Sequence, residues 1–386
     1  MVPVSSNPQT EAAEFPESAL PMSEFLARYG AGLVEAIGTA YPPKVPFGSS
    51  QTLDFSNLSR QPLGLQADAV TALVRSLEDT KGTLLVGEMG VGKAALAIMA
   101  AHFWGSRRTL VLCPPHLVEK WVREVRITLP GVHAQAVDSQ ADVDRLSKTS
   151  RGFFVLSRER AKLGPVWKAV VRWKSRKTEE GRVTLPRCFS CGQLVMLEER
   201  IPKLEELERK KHYCPSCKSP LWSVDPKGPR RYPLADYIKR RLPRDFFDLL
   251  VIDEAHEFKG SGSSQGISAG LLAEVCKRTL AATGTLFGGY ASTLFHLLWR
   301  FSPEIRKDFK VNEEARFVEQ YGLLERVYKE GDPDDARSSR GKRRKTSTRE
   351  KPGISPLLLP HLLSNVVFVR LPDVAEAPAR LQGGGA

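Results

Sequence analysis

Two short, widely separated stretches carry the residue types that handle phosphate chemistry. The first is Gly87-Glu88-Met89-Gly90-Val91-Gly92-Lys93-Ala94, which follows the apolar run Thr83-Leu84-Leu85-Val86. Glycines at this spacing let successive backbone N–H groups close around a phosphate, the lysine reaches the outer phosphates, and a helix starting there adds positive potential. The second is Asp253-Glu254-Ala255-His256, directly after Leu249-Leu250-Val251-Ile252. An acidic pair at the C-terminal end of a buried strand lies where open α/β sheets bind ligands. Asp253 is suited to hold Mg²⁺, directly or through water, and Glu254 to orient and deprotonate a water attacking a terminal phosphate. The phosphate pattern asks for Ser or Thr at Ala94, whose hydroxyl would ligate Mg²⁺. A methyl cannot do so, but Mg²⁺ commonly keeps several waters, so weakened metal-dependent binding is expected rather than none.

A third constellation is metallic. Cys188-Phe189-Ser190-Cys191 and Cys214-Pro215-Ser216-Cys217 are two knuckles of the kind that give Zn²⁺ four thiolates, with His212 as a spare ligand. A structural zinc would stabilise a small segment whose charged composition offers little core. The other two cysteines, Cys113 and Cys276, stand alone in apolar stretches and read as core thiols, so a disulfide framework is not expected. Arg172, Lys174, Arg176, Lys177, Arg230, Arg231, Lys239, Arg240 and Arg241 flank the knuckles, with Trp167, Trp173 and Trp222 among them. Interleaved cations and aromatics suit a nucleic-acid grip, and equally suit a basic surface over core tryptophans.

The elements that must position these groups follow a β-α rhythm. Short runs at 83–86, 109–113, 153–156, 249–253 and 279–283 are bounded by Gly, Pro or charged residues and separated by amphipathic stretches. They predict buried parallel strands with crossover helices, an α/β fold. Five segments are expected: an arm and helix over 1–50, a first core part over 51–164, a zinc-binding insertion over 165–244, a second core part over 245–305, and a helical extension with a C-terminal tail over 306–386. The arm reads as mobile to about residue 19, and the helix that follows is expected to pack on the main domain. Within the extension Arg340, Lys342, Arg343, Arg344 and Lys345 read as a flexible basic loop. The excess of 57 Lys and Arg over 44 Asp and Glu, a net charge of +13, favours a polyanionic partner. With no signal-like N-terminus and no long apolar run, a cytoplasmic protein without a membrane span is expected.

Taken in order, these motifs resemble the Swi/Snf-like branch of helicase superfamily two, the DEAD/DEAH-box lineage. Supporting segments are Leu58 through Gln66, Cys113-Pro114-Pro115-His116 through Trp121, the box with its trailing Lys259, and Thr283-Gly284-Thr285. The resemblance implies an N-terminal RecA-like domain, a P-loop with a parallel sheet flanked by helices, interrupted here by a zinc-ribbon-like insertion. It implies ATP and Mg²⁺ at Gly87 to Ala94, with Lys93, Asp253, Glu254 and His256 in the reaction. It implies adenine recognition by Gln66, where any helix-surface glutamine would look alike. Pro114 and His116 would touch the nucleic-acid backbone, while Thr283, Gly284 and Thr285 couple nucleotide state to grip, with His256 linking the box to one of the threonines. The implied partner is DNA, with RNA left open. Family members close ATP between two RecA-like domains, and no Gln-x-x-Gly-Arg-x-x-Arg pattern follows Thr285. The expectation is therefore half of a motor, weak or inactive as an ATPase alone unless a separate chain brings the second domain. The alternative is a non-catalytic, zinc-containing nucleic-acid-binding protein with a degenerate nucleotide site.

Overall fold

Strands paired in parallel and buried on both faces need helices above and below, and their alternating side chains must feed two separate cores. The computed structural model describes residues 22–43, 45–46, 53–147, 150–178, 181–197, 199–228, 231–260, 262–329, 345–358, 361–362 and 365–374. The chain divides into two units, residues 1–46 and 47–386. In the first, helix α1 (Met22–Ala40) leaves Leu33 and Val34 exposed. The arm expected at residues 1–19 lies outside the described residues.

The second unit opens with α2 (Gln66–Asp79), β1 (Gly82–Gly87), α3 (Lys93–Phe103), β2 (Arg108–Cys113), α4 (Val118–Thr128), β3 (Ala134–Ala136), α5 (Gln140–Asp144), β4 (Gly152–Ser157) and α6 (Arg158–Lys162). The insertion follows with β5 (Trp167–Ala169), β6 (Val171–Thr178), β7 (Gly181–Cys188), α7 (Leu204–Arg209) and β8 (Trp222–Val224). The core resumes with α8 (Leu234–Arg241), β9 (Leu249–Ile252), α9 (Ser264–Val275), β10 (Arg278–Thr283), α10 (Ala291–Phe301), α11 (Pro303–Asp308) and α12 (Glu314–Tyr321). Last come β11 (Gly322–Lys329), β12 (Lys345–Ile354) and β13 (Val366–Val369).

Among the described residues, seven strands form one sheet in the order β13-β1-β10-β9-β2-β4-β3, each neighbouring pair parallel. The α/β class is thus observed, with a strand at each of the five anticipated runs, the fourth ending at Ile252 so that Asp253 stands just past it. Along β2 and β9, Leu110, Leu112, Leu250 and Ile252 enter one core, which α8, α9 and α10 cover. Val111, Cys113, Leu249 and Val251 enter the other, beneath α2, α3 and α4. A slip of one residue would exchange the two faces, so the register is fixed from both sides. No described helix is long and apolar enough to cross a membrane.

Three expectations change. Helix α8, anticipated as part of the insertion, buries Leu234, Ala235 and Ile238 in the main core, so the insertion is shorter than residues 165–244. The extension is not wholly helical: β11 pairs antiparallel with β12, and Lys345, expected in the flexible basic loop, falls within β12. Arg340, Lys342, Arg343 and Arg344 lie outside the described residues. Finally, the segment read as a tail supplies β13, which pairs along β1 from Leu84↔Val366 to Gly87↔Val369. A four-residue strand carries too little periodicity to announce itself, and its partner is far away in sequence.

Gly82 lets the end of α10 approach the start of β1: a Cβ there would stand 1.6 Å from the carbonyl oxygen of Phe301. Because the obstacle is backbone, Gly82→Ala is expected to destabilise the fold by at least about 1–3 kcal/mol, measured as a lowered urea midpoint with unchanged m-value.

Candidate functional site

The glycine loop joins the C-terminal end of β1 to α3. Gly90 and Gly92 have φ of +93° and +79°, which residues with a Cβ adopt only under strain, and a Cβ on Gly87 would lie 2.7 Å from the Val91 side chain. Val91 is fully buried and Met89 is 91% exposed, so the loop is anchored from below and open above. Lys93 Nζ donates to the carbonyl oxygens of Gly87 at 3.0 Å and Glu88 at 3.2 Å. Its ammonium is thus held inside its own loop, and phosphate oxygens would have to replace those two carbonyls.

Two neighbours brace the loop. Strand β13 reaches it through the Glu88 N–H, which donates to Val369 O at 3.1 Å, while Glu88 Oε2 accepts from the Leu371 N–H at 2.7 Å. Gln66, buried at the start of α2, donates through Nε2 to Val91 O at 2.9 Å and accepts through Oε1 from the Leu63 N–H at 2.8 Å. Among the described residues its amide still has one unused hydrogen and one unused lone pair.

Across the sheet edge, β9 delivers the acidic pair. Asp253 is buried, and its two carboxylate oxygens accept from the Glu254 N–H at 3.0 Å and from Trp121 Nε1–H at 2.8 Å. Glu254 has φ +52° and ψ +50°, a left-handed conformation that costs a non-glycine residue of order 1 kcal/mol and that concentrates at functional turns. It opens the short helical turn Ala255–Phe258. His256 Nδ1 is 3.3 Å from Glu254 Oε2 and 3.1 Å from Thr283 Oγ1. The Thr283 hydroxyl donates to Thr285 O at 3.0 Å and accepts from the Thr285 N–H at 3.1 Å. With that hydroxyl proton committed, His256 Nδ1 must be the donor toward Thr283. A Cβ on Gly284 would be 3.7 Å from both Gly87 O and Lys93 Nζ, which brings the third motif against the first.

The structure therefore gathers Lys93, Asp253, Glu254, His256, Thr283, Gly284 and Thr285 at the C-terminal edge of β1, β9 and β10. Ala94 lies in the first turn of α3, partly exposed. Pro114 is buried and His116 exposed at the end of β2, and neither side chain bonds to the cluster among the described residues. Two participants have roles that the sequence does not announce. Trp121, at the end of the Cys113 segment, carries the Asp253 hydrogen bond from α4. Arg300 of α10 is buried, and its guanidinium donates to the carbonyls of Phe258 and Gly260, fixing the segment after the box.

In the insertion, the Sγ atoms of Cys188, Cys191, Cys214 and Cys217 lie within 4.8 Å of one another. Cys188 to Cys217 measures 3.7 Å and Cys191 to Cys214 3.8 Å. A tetrahedron with Zn–S bonds of about 2.3 Å has edges of about 3.8 Å, so the four sulfurs fit Zn²⁺. Burial pushes the Cys188 thiol up, but hydrogen bonds from Ser219 and the backbone at Cys191 and Ser190 outweigh it and bring it down to about 6. His212 is not among the four. Two knuckle cysteines, Cys188 and Cys214, form with Val195 and Leu221 the insertion's own small core.

No family model matches the chain, and no curated protein matches it. Among solved structures it is similar to the Sulfolobus solfataricus SWI2/SNF2 ATPase core in complex with dsDNA, with 13% identity and a TM-score of 0.42. That alignment covers 70% of this chain and 41% of the other, so the chain spans about two fifths of that structure's length. The fold assignment rests on the sheet itself.

Removing the indole donor with Trp121→Phe is expected to cost about 1.5–3 kcal/mol of stability in urea unfolding, the worth of a hydrogen bond to a charged group. An unchanged midpoint would show that Asp253 does not depend on it. For the sulfur cluster, one bound zinc is expected at neutral pH. Because protons compete with the metal for the four thiolates, acidification should release it. Purified chain that binds no zinc at neutral pH in a chromogenic chelator assay would contradict that assignment.

Proposed function

We propose that this chain is the nucleotide-binding half of an ATP-driven, nucleic-acid-dependent motor of superfamily-two type, with DNA as its track. The observation that carries the proposal is the meeting, at one sheet edge, of the Lys93 loop with the Asp253-Glu254 pair and the His256–Thr283 bond. A phosphate loop alone would serve many enzymes. An acidic pair beside it, tied through a histidine to the end of the neighbouring strand, serves hydrolysis that is read by another element.

Bound ATP supplies the phosphoanhydride and Mg²⁺ supplies charge neutralisation. The chain's part is to hold and orient. The loop N–H groups cradle the phosphates, and Lys93 Nζ exchanges its two carbonyl partners for phosphate oxygens. Asp253, fixed by Trp121 and the Glu254 N–H, would hold the metal, directly or through water. Glu254 accepts the proton of the attacking water at its carboxylate, and His256 Nδ1–H, shared with Thr283, senses the charge on that carboxylate. An arginine donated across the nucleotide by a second domain or a partner chain typically adds about 10³ to 10⁵ in rate. The 386 residues alone are therefore proposed to bind ATP with little turnover.

Ala94 favours a second reading, a zinc-containing nucleic-acid-binding protein whose nucleotide site does not turn over. Titration calorimetry separates the two. The natural chain should bind ATP, Lys93→Ala should lose about 10- to 150-fold, the worth of one charge-assisted hydrogen bond, and Ala94→Thr should tighten only the Mg²⁺-dependent component. Equal ATP affinity in all three chains would sink the motor reading. Several turnovers per second from the purified chain would overturn the half-site assignment.

A further inference from the structure

The zinc insertion meets the core along a groove that the nucleotide site does not use. Its wider basin, about 530 Å³, is walled by Lys162 at the end of α6, by Trp167 and Trp222 of the β5–β8 pair, by Lys211, and by Ser263 and Gln265 around the start of α9. Past Leu163, which lines both, lies a second basin of about 370 Å³ that includes Arg160, Arg231 and Tyr232. The wider basin has two lysines and no carboxylate among the described residues that line it. The second sets two arginines against Asp138, which is 4.0 Å from Arg160.

The cations and rings are arranged together. Lys211 Nζ stands 3.9 Å from the Trp222 ring centroid and 5.8 Å from that of Trp167, a cation–π cluster that keeps a positive charge at the aromatic wall. The Trp222 indole N–H is buried and has no acceptor among the described residues. Lys162 pairs with Glu159 one turn back on its own helix at 2.9 Å, and its Nζ is 3.5 Å from Gln265 Oε1.

We infer that this groove binds one single strand of nucleic acid, its phosphates on Lys162, Lys211 and Arg231 and an unpaired base against Trp167. The occupant follows from the wall. A duplex keeps the faces of its bases stacked inside, so indoles lining a groove gain nothing from it, whereas every unpaired base offers a face. A free anion would need the lysines but not the rings, and two basins with Leu163 in both walls set cations at more than one place, as a strand of several phosphates requires. The inference shares with the motor reading only the class of partner, and its test needs no nucleotide, so either can fail without the other.

The test uses the full zinc-loaded chain without ATP, and fluorescence anisotropy of a labelled dodecathymidylate beside a duplex of equal length. Trp167→Ala should weaken the single strand by about 5- to 150-fold, the usual loss for one stacked base, and leave the duplex unchanged. The double variant Lys162→Gln, Lys211→Gln should flatten the slope of log affinity against log salt by about 1.4, two phosphate contacts on a single strand. Zinc content reports whether the insertion is folded. Should Trp167→Ala lose its zinc, the lysine variant decides. Unchanged single-strand affinity and slope with zinc retained, equal losses for strand and duplex, or displacement of the oligonucleotide by polyglutamate as readily as by unlabelled oligonucleotide would each overturn the inference.

Discussion

Parallel pairing sends every strand of a sheet in one direction, so each return must cross a face of the sheet as a helix or loop. All strand ends then open onto a single edge. Here that constraint places Gly87, Asp253 and Thr283 side by side, because β1, β10 and β9 are neighbours in register, with Val86 opposite Thr283 and Ala281 opposite Ile252. The two-sided burial of those strands holds the edge in place. Leu250 and Ile252 are locked into one core while Leu249 and Val251 are locked into the other, so Asp253 cannot shift by a residue without inverting both.

The groups at that edge are held by the protein in the form in which they stand ready. Lys93 is satisfied by two loop carbonyls, and Asp253 by an indole and a backbone N–H. Glu254 is kept left-handed between strand and turn. None of these arrangements would persist in isolation, since a lone lysine prefers water and a non-glycine residue prefers negative φ. They persist because α4, α10 and β13 contribute contacts from outside the motif: Trp121 to Asp253, Arg300 to the carbonyls of Phe258 and Gly260, and Val369 to the Glu88 N–H. The site is thus a property of the whole second unit rather than of its loops.

The insertion solves a different problem. Among the described residues its strands form only two-stranded pairs, which are marginal alone, and its apolar cluster holds just Val195 and Leu221, with Val171 against it, beside two of the knuckle cysteines. Four sulfurs at tetrahedral spacing could supply, by holding a metal, what so small a core cannot supply through burial. The same shortage of core leaves Trp167 and Trp222 on a wall beside α9, where cations and rings face a groove instead of an interior.

What the sequence determined by itself is everything local. Glycine spacing, an acidic pair after an apolar run, two knuckles and a β-α rhythm each depend on neighbours within a few residues, and those neighbours impose their backbone geometry directly. Tertiary structure decided what depends on distant partners. The indole of Trp121 reaches Asp253 across 132 positions, Val366 to Val369 become a strand only because β1 has a free edge, and α8 belongs to the core because its apolar face meets α9. The fate of Gln66 belongs here too: its amide chemistry is legible in one residue, but its grip on Val91 O is not. Periodicity and composition carry no record of such meetings, since they arise from the packing of whole faces rather than from the order of adjacent side chains.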